Sequence, residues 1–221
     1  MRLPDSVVMV LLVAALTTAA PAAFPAQPQS RAEALAALKN ADAAARAEAV
    51  VWIANRGSMA DAPLLHERLR DESAFVRGYA EQGLWLLWTR SGDAAIDAQM
   101  ARATEAMQAG EHEQAIALLT EVVKKKPDYA EGWNRRATVY YLAGDYRKSI
   151  ADCDEVLKRN PGHFGALSGL GQIYLQLQDD AKALDAFRRA LAVNPNMVGV
   201  EMYVRMLEER LRLPRAPGQS T

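Results

Sequence analysis

The side chains able to do chemistry are few, and the sequence scatters them. His66, His112 and His163 are the only histidines, and Cys153 is the only cysteine. No two of these stand at i, i+4, the spacing that sets two metal ligands on one helix face. Cys153 and His163 would be the elements of a thiolate–imidazole pair, but Asn160-Pro161-Gly162 lies between them and no third group stands ready to orient the base. A lone cysteine excludes an intrachain disulfide and a thiolate zinc site built by this chain alone. Cys153 falls at a packing position, where a small buried hydrophobe is expected rather than a nucleophile. His66, on a helix, and His112, in an interhelical turn, are expected at the surface. Nucleophile-elbow, P-loop, dinucleotide and H-E-x-x-H patterns do not occur. The expectation is a protein without catalytic residue, cofactor or metal, whose chemistry is recognition.

The elements that would position a recognition surface are legible in the second half. Pro127, Pro161 and Pro195 are evenly spaced, and a period of about 34 residues fits one helix–turn–helix unit. Units opening at Ile96, Ala130 and Phe164 align small residues Ala103, Ala137 and Gly171 on the first helix. Ala115, Ser149 and Ala183 align on the second. Small residues at both places let two antiparallel helices approach closely. Leu119, Cys153 and Phe187, with Val122, Val156 and Ala190, continue an apolar stripe at helical spacing. Gly110-Glu111, Gly144-Asp145 and Gln178-Asp179 stop one helix and start the next. Alanine and leucine dominate throughout and no stretch alternates like a strand. The formal charge of −1 gives no global attraction to nucleic acid. Lys124-Lys125-Lys126 closes a helix, where cations offset the dipole.

This pattern resembles the tetratricopeptide repeat over residues 96–211. The family favours Trp, Leu and Tyr at the fourth, seventh and eleventh positions. The second unit has Trp133, Arg136 and Tyr140, and the third has Leu167, Leu170 and Tyr174. The first has Gln99, Arg102 and Ala106, so its first helix is expected to pack on something other than a standard neighbour. The resemblance implies an all-α, right-handed α-solenoid of antiparallel helix pairs. It also implies a concave, partner-binding groove lined by Met100, Thr104, Met107, Asn134, Thr138, Tyr141, Ser168, Gln172 and Leu175. One subfamily grips the C-terminal carboxylate of cytosolic chaperones with a clamp of lysines, asparagines and an arginine. Its positions are occupied here by Met100, Thr104, Arg135, Gly165 and Gly169, so the clamp is absent and a cytosolic co-chaperone role is disfavoured.

Upstream, a different and slightly shorter period appears. Leu38, Ala45, Arg46, Ala49 and Ile53 recur at one constant offset as Leu69, Val76, Arg77, Ala80 and Leu84. Asn40 and Asp71 fall at matching turns, able to cap the helices that follow. Residues 30–92 resemble two HEAT-like repeats. Leu84-Trp85-Leu86-Leu87-Trp88 is apolar all round and needs cover on more than one side. Trp85 or Trp88 is expected against the first helix of the downstream array, making one continuous solenoid; the alternative is an exposed aromatic patch for a partner.

Residues 1–26 read as a signal peptide: Arg2, an apolar core from Val7 to Leu16, then Ala20-Pro21-Ala22. That core is too short to span a bilayer. Residues 93–213 form the three repeat units and a last helix, expected to cap the array with an apolar inner and a charged outer face. Residues 214–221 form a tail. The expected protein is a periplasmic or secreted scaffold that binds a protein or peptide, with no nucleic acid partner and no membrane span in the mature chain. The rival reading is a structural subunit of an envelope complex, docking through the Trp85–Trp88 helix or the C-terminal helix.

Overall fold

A computed structural model describes residues 27–212; the signal peptide and the tail expected from the sequence lie outside them. Every regular element among the described residues is a helix, and none is a strand. Helices α1 (Arg31–Ala37) and α2 (Ala43–Arg56) pair, as do α3 (Ala62–Arg68) and α4 (Ala74–Thr89), with a 3₁₀ turn at Met59–Asp61 between the pairs. Asn40 and Asp71, expected to cap the helices that follow, instead brace the turns: Asp42 and Ser73 are the N-caps, and Oδ1 of Asn40 and of Asp71 accepts the backbone N–H of Asp42 and of Ser73 respectively. The upstream period is a burial period. Leu38, Ala49, Ile53, Leu69, Val76, Ala80 and Leu84 all enter one apolar cluster.

The array that follows contains α5 (Ala94–Gln108), α6 (His112–Lys125), α7 (Ala130–Leu142), α8 (Tyr146–Arg159), α9 (Phe164–Gln176), α10 (Asp180–Val193) and α11 (Val198–Arg210). Partners within a pair meet at the small-residue seam. The Ser149 hydroxyl donates to the Ala137 carbonyl at 2.7 Å, with both residues buried. A methyl group added to Gly171 would fall 2.5 Å from the Phe187 ring. Gly110 and Gly144 turn the chain with φ of 76° and 77°, and Gln178 takes the same left-handed turn at 59°. Arg136 replaces the favoured leucine because its charge is answered: it donates to Asp152 at 2.7 and 2.8 Å and lies over the Trp133 ring, 5.0 Å from its centroid.

The first four helices do not stack ahead of α5. They lie across the turns that join successive pairs. Tyr129, His163 and Met197 occupy the same place in successive units and open α7, α9 and α11. Each meets the N-terminal helices. The Tyr129 hydroxyl donates to the Thr89 carbonyl at 2.7 Å, His163 stacks on Trp88 with centroids 4.2 Å apart, and Met197 packs on the N-terminal cluster. Trp85 meets Phe164 edge-on at 5.4 Å. The expectation that a tryptophan lies against α5 is therefore corrected: the cluster that holds Trp88 contains no α5 residue. The reason is that Ala103 and Ala106 of α5 are already taken up by Ala115, Leu119 and Val139. The exposed Trp85–Trp88 docking patch is corrected with it, since Trp88 is 3% exposed and Trp85 is packed against the same cluster.

The last helix departs from the expected cap. Val200, Val204 and Leu207 are buried against α10, as the pattern required. Glu208, one of the charged residues that the pattern assigns to the outer face, is buried and accepts from Arg188 at 2.6 Å. The outer face carries apolar Val198, Met202 and Met206, which are 69%, 64% and 42% exposed. His66, expected at the surface, is half-buried with its ring centroid 6.2 Å from that of Trp88, and burial lowers its pKa, helped by Arg70 and His163.

Candidate functional site

The first helices of the second and third pairs, α7 and α9, run side by side and enclose a groove of about 220 Å³. Its walls are polar and uncharged: Asn134, Thr138 and Tyr141 from α7, and Ser168 and Gln172 from α9. Its floor is made small by the same residues that close the seam, Ala137 and Ser149, joined by Cys153. Burial pushes the Cys153 thiol up to about 12, so it lines the floor as a neutral group. Gly165 and Gly169 leave gaps in the α9 wall, which apolar Ala166 and Ile173 complete. A methyl group on Gly169 would meet nothing within 4 Å, whereas one on Gly165 would strike Trp85. The N-terminal helices thus reach the edge of the groove and fix the start of α9.

Five of the nine residues expected to line a groove share this one: Asn134, Thr138, Tyr141, Ser168 and Gln172. The other four lie elsewhere. Met100 and Met107 pack on the apolar cluster of α5 and α6, and Leu175 packs against that of α10 and α11. Thr104 spends its hydroxyl on the Met100 carbonyl at 2.9 Å, a bond within its own helix. Thr138 does the same with Asn134, so the hydrogen-bonding groups left free among the expected residues are Asn134 Oδ1, the Gln172 amide and the Tyr141 and Ser168 hydroxyls. The Asn134 amide is steadied by Glu131, to which its Nδ2 donates at 3.0 Å.

Glu131 organises the base of α7. It is 1% exposed and accepts from Arg135 Nε at 2.7 Å. His163 Nδ1 accepts the Ala166 N–H at 3.0 Å, which leaves its proton on Nε2, 3.2 Å from Glu131. Burial by itself would raise the Glu131 carboxyl; hydrogen bonding to His163 and the nearby Arg135 outweigh it and hold the group below the usual carboxylate range. The sequence reading missed this His163–Glu131–Arg135 chain because its members come from two units. The signal available was the register: His163 stands midway between Tyr129 and Met197, three bulky side chains at one place in the repeat. The arginine at the clamp positions, Arg135, is held by this carboxylate.

An array of antiparallel helix pairs with a groove between successive first helices defines a helical-repeat protein. Residues 100–162 and 143–197 match the family model of the tetratricopeptide repeat. A TPR repeat-containing protein of Rhizobium etli is 44% identical over 52 residues, which are 24% of this chain and 26% of that protein. The chain therefore spans about a quarter of the length of that relative. Among solved structures, the first TPR domain of Spaghetti (RPAP3), bound to the HSP90 peptide SRMEEVD, superposes with a TM-score of 0.51 at 20% identity, covering 53% of this chain and 93% of that one. The Arabidopsis OM64 TPR domain does so with a TM-score of 0.51 at 18% identity, covering 52% and 96%. MamA gives 0.51 at 15% identity, covering 62% and 82%.

Proposed function

We propose that the chain is an exported, non-enzymatic scaffold that captures a peptide or protein segment in the groove between α7 and α9. One observation carries the reading: side-chain amides and hydroxyls of two helices meet over a floor of small residues, with Tyr141 as an aromatic wall. Preformed helices present these groups at little ordering cost. The Spaghetti domain binds an HSP90 peptide in its solved complex, which supports the same use of the fold here. The ligand differs in charge. Among the described residues no ionisable cation or carboxylate lines this groove, and Arg135 is neutralised by Glu131, so the favoured segment is neutral, polar and aromatic or small. In this reading residues 30–92, which resemble HEAT-like repeats, serve as a buttress for residues 93–213. Export rests on the residue pattern of positions 1–26 and places the scaffold in the periplasm or outside the cell.

The test is in-cell crosslinking from a photoreactive residue at Tyr141, with the captured species identified, repeated after Asn134→Ala plus Gln172→Ala. Capture that disappears in the double variant while its helical content stays native supports the groove. Unchanged capture moves the site elsewhere. Cell fractionation of the full chain decides export.

A second reading, docking into an envelope complex through the C-terminal helix, is favoured by the exposed Val198, Met202 and Met206 on α11. Co-purification of envelope proteins with the full chain separates the two, because docking through α11 would be lost in Met202→Glu and kept in the groove double variant.

A further inference from the structure

A second cavity, of about 320 Å³, opens where the end of α4 meets the first two turns between helix pairs. It shares no lining residue with the groove. Met59, Trp88, Arg90, Tyr129, Arg159 and Asn160 form most of its wall. Three of these side chains hold a buried nitrogen that has no acceptor among the described residues: Trp88 Nε1, Arg90 Nη2 and Asn160 Nδ2. Trp88 is 3% exposed and Asn160 8%. Each of the three atoms is a donor only. A buried donor left unmade is costly, and all three belong to side chains that line one cavity, which favours an acceptor-rich guest.

The charges agree. Arg90 and Lys126 border the cavity, and neither has a carboxylate partner among the described residues. Arg159 is already engaged by Glu155 at 2.5 Å. Glu131 in the wall is spoken for by Arg135 and His163, and Asp128 stands at the exposed rim. The surplus is about one or two positive charges, with two carboxylates near enough to disfavour a dianion. A monoanion fits better than a phosphate. The apolar wall made by Met59 and the rings of Trp88 and Tyr129 suits an anion with an organic body.

We infer that this cavity binds a small carboxylate, with Trp88 Nε1, Arg90 Nη2 and Asn160 Nδ2 donating to its two oxygens. The carboxylate belongs either to a free small acid or to the end of a peptide chain, and the site is independent of the groove proposed for partner capture.

The experiment follows the indole N–H resonance of Trp88 in the ¹⁵N-labelled full chain, assigned by loss in Trp88→Phe. The probes are N-acetylglycine and its amide, triglycine and its C-terminal amide, and inorganic phosphate. The expected result is a saturable downfield shift with both acids and none with either amide. The Trp133 indole, which donates to the Pro127 carbonyl, stays in place. Arg90→Gln weakens the acids roughly tenfold or more, the loss of one charge-assisted hydrogen bond. Arg90 Nη1 also donates to the Gly57 carbonyl at 3.0 Å, so the near-isosteric Asn160→Asp gives a second measure. It abolishes the shift while native circular dichroism is kept. Tighter binding of triglycine assigns a chain end, and tighter binding of N-acetylglycine assigns a free acid. Absence of a saturable shift, equal shifts with acid and amide, tighter binding of phosphate, or full binding by a folded Asn160→Asp protein overturns the proposal.

Discussion

Arg77 donates from Nε to Oδ1 of Asn196 at 2.8 Å, and this bond ties the N-terminal helices to the last turn of the repeat array. It completes a ladder. Arg46 holds the Asn40 and Ala41 carbonyls of its own turn and reaches forward to Asp71 at 2.7 and 2.8 Å. Arg77, its counterpart in the next unit, holds the Asp71 and Glu72 carbonyls and reaches forward to Asn196. Asn196 thus takes the place that Asp71 has one rung earlier, although it lies 119 residues beyond Arg77. Its Nδ2 also donates to the Leu69 carbonyl at 2.8 Å, the same kind of bond that Arg68 makes to Leu38.

Asn196→Ala removes the acceptor from a partly buried guanidinium and the donor from the Leu69 carbonyl at once. The expected cost is about 2–4 kcal/mol, one charge-assisted and one ordinary hydrogen bond with their partners left unpaired. Chemical denaturation of the full chain measures it. A midpoint equal to that of the parent chain would show that the junction does not depend on the hydrogen bonds of Asn196.

Ala137→Leu places three extra carbons in the seam between α7 and α8, where the Ala137 carbonyl already receives the Ser149 hydroxyl. Overpacking of that kind costs about 1–3 kcal/mol. Thermal unfolding followed by circular dichroism reads it directly, and a native melting temperature would contradict the closeness of the two helices.

How far the sequence could be read follows from the range of each contact. The seam of Ala137 with Ser149 was legible because a residue only 12 positions away sits at a fixed place in a repeated unit. The ladder of Arg46 and Arg77 was legible as a period within residues 30–92, but its forward acceptor on Arg77 was not, since nothing local marks Asn196 as the successor of Asp71. The same holds for Trp88 on His163. An all-apolar helix announces that it needs cover without naming what covers it, and the nearest small-residue helix was already occupied. The groove was half legible for a related reason. Position along the repeat predicts direction, but Met100, Met107 and Leu175 are long apolar side chains that gain more by bending onto neighbouring clusters than by facing water.

Gln178 occupies a left-handed turn, φ 59°, where the two preceding units have glycine. A side chain in that conformation costs about 1–2 kcal/mol, part of which is returned by the lower chain entropy of a non-glycine residue when unfolded. Gln178→Gly is therefore expected to stabilise the chain by roughly 0.5–1 kcal/mol. A lower denaturation midpoint in the variant would mean that the exposed glutamine makes up for the turn by contacts of its own.

Acid should loosen the base of α7 first. The Glu131 carboxyl lies below its ordinary value of 4.5 in the folded chain: burial opposes this, and His163 and Arg135 more than compensate. A carboxyl depressed on folding adds stability that is complete above the unfolded value and is lost as pH falls through the folded one. Stability is thus expected to hold steady above about pH 5 and to fall below 4.5. Asp71, lowered by its hydrogen bond from Arg46 and by the Ser73 N–H against the opposing effect of burial, extends the loss below 3.8. Glu131→Gln is expected to be the less stable protein at pH 7, with the two curves converging as the pH drops towards 3, because the variant has no such proton to take up. Urea denaturation at a series of pH values measures the gap. A gap that stays constant from pH 7 to 3 would mean that Glu131 contributes packing to the turn and no charge.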